Sequence, residues 1–189
     1  MTTQKLALIF PGIGYHVDKP LLYYSKKLAR SYGYQVVEVL YGNFPKEVKG
    51  DRDKMQDALT SALAQSEDLL KDVDFSAYPH ILCISKSIGT AVASAFMEQH
   101  GIFAHHIYYT PVEEFLPLMK QPGIVFHGTN DSWADTQNLL EACQKKSYPV
   151  YQIPDGNHSL ETGDIFKDLE YLHKIMKRTK EYLEDISIK

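Results

Sequence analysis

The chain has 189 residues, 44% of them hydrophobic and 23% charged, with 20 Lys and Arg against 24 Asp and Glu for a formal charge of −4. That length suits one domain able to bury its own core without staples, and the composition excludes disorder and low complexity. The slight acidic excess speaks against a nucleic-acid surface, which draws on a basic surplus, and no stretch nears the ~20 apolar residues that span a bilayer.

The N-terminal apolar run is only Leu6–Phe10 (LALIF), too short for the core of a signal peptide. It reads as a strand buried on both faces, and Pro11-Gly12 ends it. Leu21–Arg30 has helical spacing, Tyr34–Tyr41 is β-branched and strand-like, and Asp53–Asp72 reads as a helix with an acidic first turn. His80–Ile84 is the third strand, followed by an Ala-rich helix over Ile88–His100 that Gly101 stops. Ala104–Thr110, Gly123–His127 and Tyr148–Ile153 read as three further strands. Helices are expected over Ser132–Lys145 and Asp164–Tyr182, the last with Ile165, Leu169, Leu172 and Met176 on one side. Strand and helix alternate throughout, which predicts a three-layer α/β/α sandwich on a mainly parallel sheet of about six strands. Cys83 and Cys143 lie in a strand and a helix, far apart in sequence. They make neither a metal-type pair nor a disulfide framework, so two reduced, buried thiols in a cytoplasmic protein are expected.

In sheets of this kind the chemistry sits in loops at the carboxyl ends of the strands. Those loops read PGIGYH (11–16), SKSIG (85–89), GTNDSWAD (128–135) and PDGNHSLE (154–161). A Ser, an Asp and a His thus leave different strands in the chain order Ser…Asp…His, which is the order of the α/β-hydrolases. From Lys5 to the final helix the chain resembles a compact, nearly lidless member of that superfamily, of the serine hydrolase or esterase kind. The early antiparallel strands of larger members are missing. The nucleophile turn departs from the family's G-x-S-x-G pattern: Ser85 stands at its first glycine, while Gly89 keeps the second. A hydroxymethyl group is a small addition where strand and helix pack closely.

The resemblance implies that Ser87 is the nucleophile, His158 the base and Asp131 the carboxylate that orients the imidazole. Each has a plainer reading. Ser is a preferred helix N-cap, Asp131 could cap the helix after it, and Asp135 could be an ordinary first-turn carboxylate. Of eight histidines, His80, His105 and His106 fall in or beside strands, and His100 and His173 in helices. His16 and His127 lie nearer the loops, but only His158 follows the last strand. The family's oxyanion hole takes two backbone N–H groups, which would come here from Ile13 and Ile88. Gly12, Tyr15 and Trp133 stand where a substrate pocket would be lined, and for the aromatic pair packing is an equal reading. Lys86 reads as a solvated residue flanking the turn.

Only Pro111–Gln121 occupies the place of a cap domain, room for one short helix, and Gly42–Asp51 is expected to form a second edge of the site. An open, shallow site suits small carboxylic esters or thioesters. The expected activity is therefore serine-type hydrolysis of a small-molecule acyl substrate, without cofactor or metal, nucleic-acid partner or membrane association. A homodimer is compatible with apolar edge strands. Two other readings remain at this point: a hydrolase-like binding or regulatory module without turnover, and an acyltransferase or peptidase on the same three residues.

Overall fold

The computed structural model describes residues 4–44, 47–48 and 51–187. Six parallel strands, β1 (Lys5–Phe10), β2 (Tyr34–Glu38), β3 (His80–Lys86), β4 (His105–Tyr109), β5 (Gly123–Gly128) and β6 (Val150–Ile153), form one sheet in the order β2-β1-β3-β4-β5-β6. Five helices cover it: α1 (Pro20–Ser31), α2 (Arg52–Leu70), α3 (Ile88–Gln99), α4 (Thr136–Lys145) and α5 (Ile165–Ser187).

Side chains alternate across a strand, and β1 shows why a continuous apolar run is needed. Leu6, Leu8 and Phe10 join the core beneath α2 and α3, while Ala7 and Ile9 join the one beneath α1 and α5. Both faces are covered, so every position must be apolar. The same face that carries α2 and α3 continues under α4, where Tyr108 and Val125 meet Leu139 and Cys143. Both cysteines are free and buried. Among the described residues no helix is long and apolar enough to cross a membrane.

Two elements differ from the sequence reading in ways that bear on the site. Helix α4 begins at Thr136 rather than Ser132, because Asp135 is its N-cap and accepts from the Asn138 N–H at 2.9 Å. The preceding residues are thereby left in a turn. Helix α5 is longer than its periodicity suggested, and its buried stripe is Ile175, Thr179, Leu183 and Ile186. Of the side marked by the periodicity, Leu172 and Met176 pack against the core, whereas Ile165 and Leu169 are 73% and 57% exposed; the first turns of α5 precede the part of the helix that packs. The segment after β4 is a short 3₁₀ helix over Glu113–Leu118, with no larger cap at that point. In Gly42–Asp51, Pro45, Lys46, Lys49 and Gly50 lie outside the described residues.

Candidate active site

The site is built where the parallel strands end. Strand β3 runs two residues further than expected, through Lys86, and Ser87 then turns the chain into α3 with φ 57° and ψ −127°. This is positive-φ backbone that a non-glycine residue adopts at a cost of about 1–3 kcal/mol. The turn is held by the surrounding structure: the Ser87 N–H donates to the Tyr109 carbonyl at 3.0 Å, and its carbonyl accepts from the Thr90 N–H at 2.9 Å. Gly89 is the reason α3 can start there. A Cβ at that position would strike the carbonyl oxygens of Phe10 and Pro11, so the helix sits directly on the end of β1. Ser85 is fully buried with its Oγ donating to the Ile107 carbonyl at 3.2 Å, which shows that the first small position of the pattern has room for a hydroxyl.

Ser87 occupies the N-cap position of α3, yet its side chain makes no cap hydrogen bond. Its Oγ lies 2.7 Å from His158 Nε2 instead. His158 Nδ1 faces the Asp131 carboxylate, 2.8 Å from Oδ2 and 2.9 Å from Oδ1. Asp135, not Asp131, caps α4, and Asp131 Oδ1 accepts from the Trp133 N–H at 2.9 Å.

The loops bearing Asp131 and His158 are locked to one another, which explains how residues far apart in sequence meet. A Cβ on Gly128 would meet the carbonyls of Gly156 and Asn157, so the two loops pack backbone to backbone. The Asn130 N–H donates to the Gly156 carbonyl at 2.9 Å, the Thr129 N–H to that of Ile153 at 3.0 Å, and the Asp155 N–H to Thr129 Oγ1 at 2.9 Å. Thr110 Oγ1 donates to the His158 carbonyl at 3.1 Å.

The Asp131 side chain is fully buried, whereas that of His158 keeps 22% of its surface exposed. Burial pushes the Asp131 carboxyl upward, but the hydrogen bond and charge of His158, with the Trp133 N–H and the more distant Lys86, outweigh it and hold it below the usual carboxylate value. It therefore remains an anion facing the imidazole at neutral pH.

Ile88 opens α3, where the helix dipole is positive, and Ile13 lies in the loop after β1. Among the described residues, neither N–H is used in the hydrogen bonds of the turns and helix caps. Gly12 brings the loop onto Ser87, since a Cβ there would stand 3.0 Å from the Ser87 Cβ. Trp133 stacks on the His158 ring at 5.3 Å between centroids and 27° between planes. It forms one wall of a groove of about 550 Å³ lined also by Val48, Arg52, Met55 and Val112. Tyr15 is different: at 5% exposure it packs beneath the loop, with its hydroxyl accepting from the Leu21 N–H at 3.2 Å. His16 and His127 stay out of the cluster; His127 Nε2 instead meets Thr136 Oγ1 at 2.8 Å.

Lys86 overturns its sequence reading. It is 1% exposed, not solvated. Its place in the period-2 alternation of β3 says which face it takes, but not that the loop after β1 closes over that face. Among the described residues, no three His, Cys, Asp or Glu side chains converge as metal ligands.

No family model and no curated protein matches the chain. Solved structures do. Est1E from Butyrivibrio proteoclasticus, solved with ferulic acid bound, superposes with a TM-score of 0.71 at 14% identity, covering 99% of this chain and 91% of that one. An α/β serine hydrolase without lid from Xanthomonas campestris gives 0.61 at 13%, covering 96% and 84%. An esterase from Pyrococcus furiosus gives 0.61 at 12%, also covering 96% and 84%. With its six parallel strands, its sharp turn at Ser87 and these similarities, the chain has the α/β-hydrolase fold in a form without a large cap.

Proposed function

We propose that this protein is a serine hydrolase of small carboxylic esters or thioesters. The observation that carries the reading is the continuous hydrogen-bonded line from Ser87 Oγ through both nitrogens of His158 to the Asp131 carboxylate. A serine hydroxyl becomes an effective nucleophile when a base takes its proton as it attacks. In this reading Ser87 Oγ bonds to the acyl carbon and its proton passes to His158 Nε2. Asp131 stabilises the imidazolium so formed and keeps Nδ1 protonated. The carbonyl electron pair moves onto oxygen, to which the N–H groups of Ile13 and Ile88 donate. Collapse of that intermediate breaks the bond to the alcohol or thiol, which leaves with the proton from His158. Water then attacks the acyl-enzyme by the same route, its proton passing through His158 back to Ser87, and the acid departs.

The groove beside Trp133 supports a small acyl or leaving group. Its apolar walls are Val48, Met55, Val112 and the indole, and its charged rim is already paired, with Arg52 Nε on Glu114 at 2.9 Å. A neutral, planar group laid against Trp133 fits that lining better than a long chain, and the ferulic acid bound by Est1E is a group of that shape. The absence of a cap leaves this groove open from the side.

Labelling with a fluorophosphonate probe followed by peptide mass spectrometry tests the reading. A stoichiometric adduct on Ser87 that is lost in His158→Ala is the expected result. Ser87→Ala should lower ester hydrolysis by at least ~10³-fold. An unlabelled, folded protein would replace the hydrolase reading with that of a binding module.

A further inference from the structure

A lysine rarely lies fully buried without a carboxylate paired to it. Lys86 is 1% exposed immediately before Ser87, and among the described residues no carboxylate forms an ion pair with it. Its Nζ stands over the face of Tyr15, 5.0 Å from the ring centroid. Its stem passes under Gly12, where a Cβ would lie 3.6 Å from Lys86 Cγ and 3.2 Å from the Lys86 carbonyl. Tyr15 and Gly12 are themselves tied: Gly12 N–H donates to the Tyr15 carbonyl at 3.1 Å, and Tyr15 N–H to that of Gly12 at 3.3 Å. That two-bond clasp holds the short bend carrying Ile13. Lys86 therefore bridges the turn at Ser87 and the loop that would supply the first oxyanion donor.

We propose that Lys86 is a positioning residue: its ammonium, seated on the Tyr15 ring, holds the Gly12–Tyr15 bend against Ser87 so that the Ile13 N–H is aimed at the developing oxyanion. This rests on the serine-hydrolase reading above. The attraction is that of a cation for the negative face of an aromatic ring, and it strengthens where water is excluded. A neutral amine does not make it. The contact is thus present only while Lys86 is protonated.

The charged and titratable groups around Lys86 come from every neighbouring loop. Asp131 follows β5, Glu161 follows β6, Lys19 precedes α1 with its own Nζ 5.2 Å from the Tyr15 ring, and His158 and Ser87 complete the site. Burial lowers the amine most strongly; Lys19 adds to that, and Asp131 and Glu161 oppose it, leaving a pKa of about 7. Tyr15 is pushed the other way by burial and stays neutral throughout. Raising the pH through neutrality thus removes the charge and loosens the bend. Protonation of His158 limits activity on the acid side, as in any mechanism with a histidine base. Lys86 adds an alkaline limb that the Ser–His–Asp line by itself does not have.

The experiment is the pH dependence of kcat and KM for p-nitrophenyl acetate in the wild-type protein and in Lys86→Met, Tyr15→Phe and Tyr15→Leu. Wild type should show kcat falling above pH ~7, where the charge is lost. Lys86→Met should show kcat lowered roughly tenfold at the wild-type optimum, a fraction of the loss that removal of a whole oxyanion donor brings, with KM within about twofold and no alkaline limb. Tyr15→Phe keeps the ring and should keep the limb; Tyr15→Leu should lose it, which provides the same test should Lys86→Met fail to fold. An alkaline limb that survives in Lys86→Met or Tyr15→Leu, or an unchanged kcat in both, overturns the proposal. Fluorophosphonate labelling of wild type is run alongside. Labelled Ser87 with identical pH profiles refutes the role of Lys86 alone, whereas absence of labelling refutes the hydrolase reading and this inference with it.

Discussion

Ser85 and Gly89 are the two small positions on either side of Ser87, and the structure gives them unequal weight. Ser85 fills its site and donates a hydrogen bond to Ile107; Gly89 has the carbonyls of Phe10 and Pro11 where a Cβ would be. Ser85→Gly should therefore leave ester hydrolysis within about threefold while costing roughly 1–2 kcal/mol, the sum of one buried hydrogen bond and a glycine in a strand. Gly89→Ala should cost roughly 1–3 kcal/mol through overpacking against backbone that cannot yield, and should slow hydrolysis by displacing Ile88. Denaturant unfolding of both variants with parallel rate measurements checks the pair; equal effects on rate would refute the ranking. At this scale Ser87, Asp131 and His158 were legible as residue types placed after three different strands, β3, β5 and β6. Lys86 was not, because a lysine is solvated in most settings and its burial depends on a segment far away in sequence, the loop carrying Tyr15.

Among the elements, α5 shows how periodicity can be present and still mislead. Ile165, Leu169, Leu172 and Met176 are correctly spaced for one face, and Leu172 and Met176 do pack against the core; Ile165 and Leu169 are exposed, and the fully buried residues are Ile175, Thr179, Leu183 and Ile186. An amphipathic pattern fixes a stripe along a helix, while the neighbour's position decides which part of the stripe is covered. Thr179 marks the real interface: its hydroxyl meets that of Tyr109 at 2.7 Å, which in turn meets Ser25 of α1 at 2.8 Å. Leu183→Ala should lower stability by roughly 2–5 kcal/mol, the range for a deleted core leucine. Phe166→Ala, at a residue 83% exposed, should change it by no more than about 0.5 kcal/mol. Thermal melts of the two variants decide the matter, and a large loss in Phe166→Ala would mean that this turn is covered in solution. The start of α4 was legible only in part. Asp131 and Asp135 are both credible caps by type, and what separates them is His158, which claims Asp131.

For the molecule as a whole, the site leaves its mark on stability. Lys86 titrates at about 7 when folded and near 10.5 in the unfolded chain, so the unfolded state binds the extra proton between those values. Stability accordingly rises with pH across that window. Asp131 acts at the other end: its folded carboxyl lies below the usual value, so its contribution is present above the unfolded pKa and is lost as pH falls through the folded one. The melting temperature should rise from about pH 7 to about pH 9.5, and Lys86→Met should be stabler at neutral pH by roughly 1–4 kcal/mol, as buried charges replaced by apolar groups often are, with that rise flattened. Calorimetry across the range tests it, and a rise unchanged in Lys86→Met would mean another group is responsible. The site then holds a destabilising charge in the interior for the sake of activity, a familiar exchange at functional sites.

By itself the sequence determined the alternation of strands and helices, hence the parallel sheet, and the chain order in which Ser87, Asp131 and His158 leave its strand ends. Those follow from local hydrophobic period and turn residues, which act over a few positions. The tertiary structure decided which carboxylate meets the imidazole, which stripe of α5 is buried, that Trp133 covers His158 while Tyr15 lies beneath the loop, and that Lys86 is inside. Each of these depends on what a distant segment places against the residue, and local pattern carries no record of that neighbour.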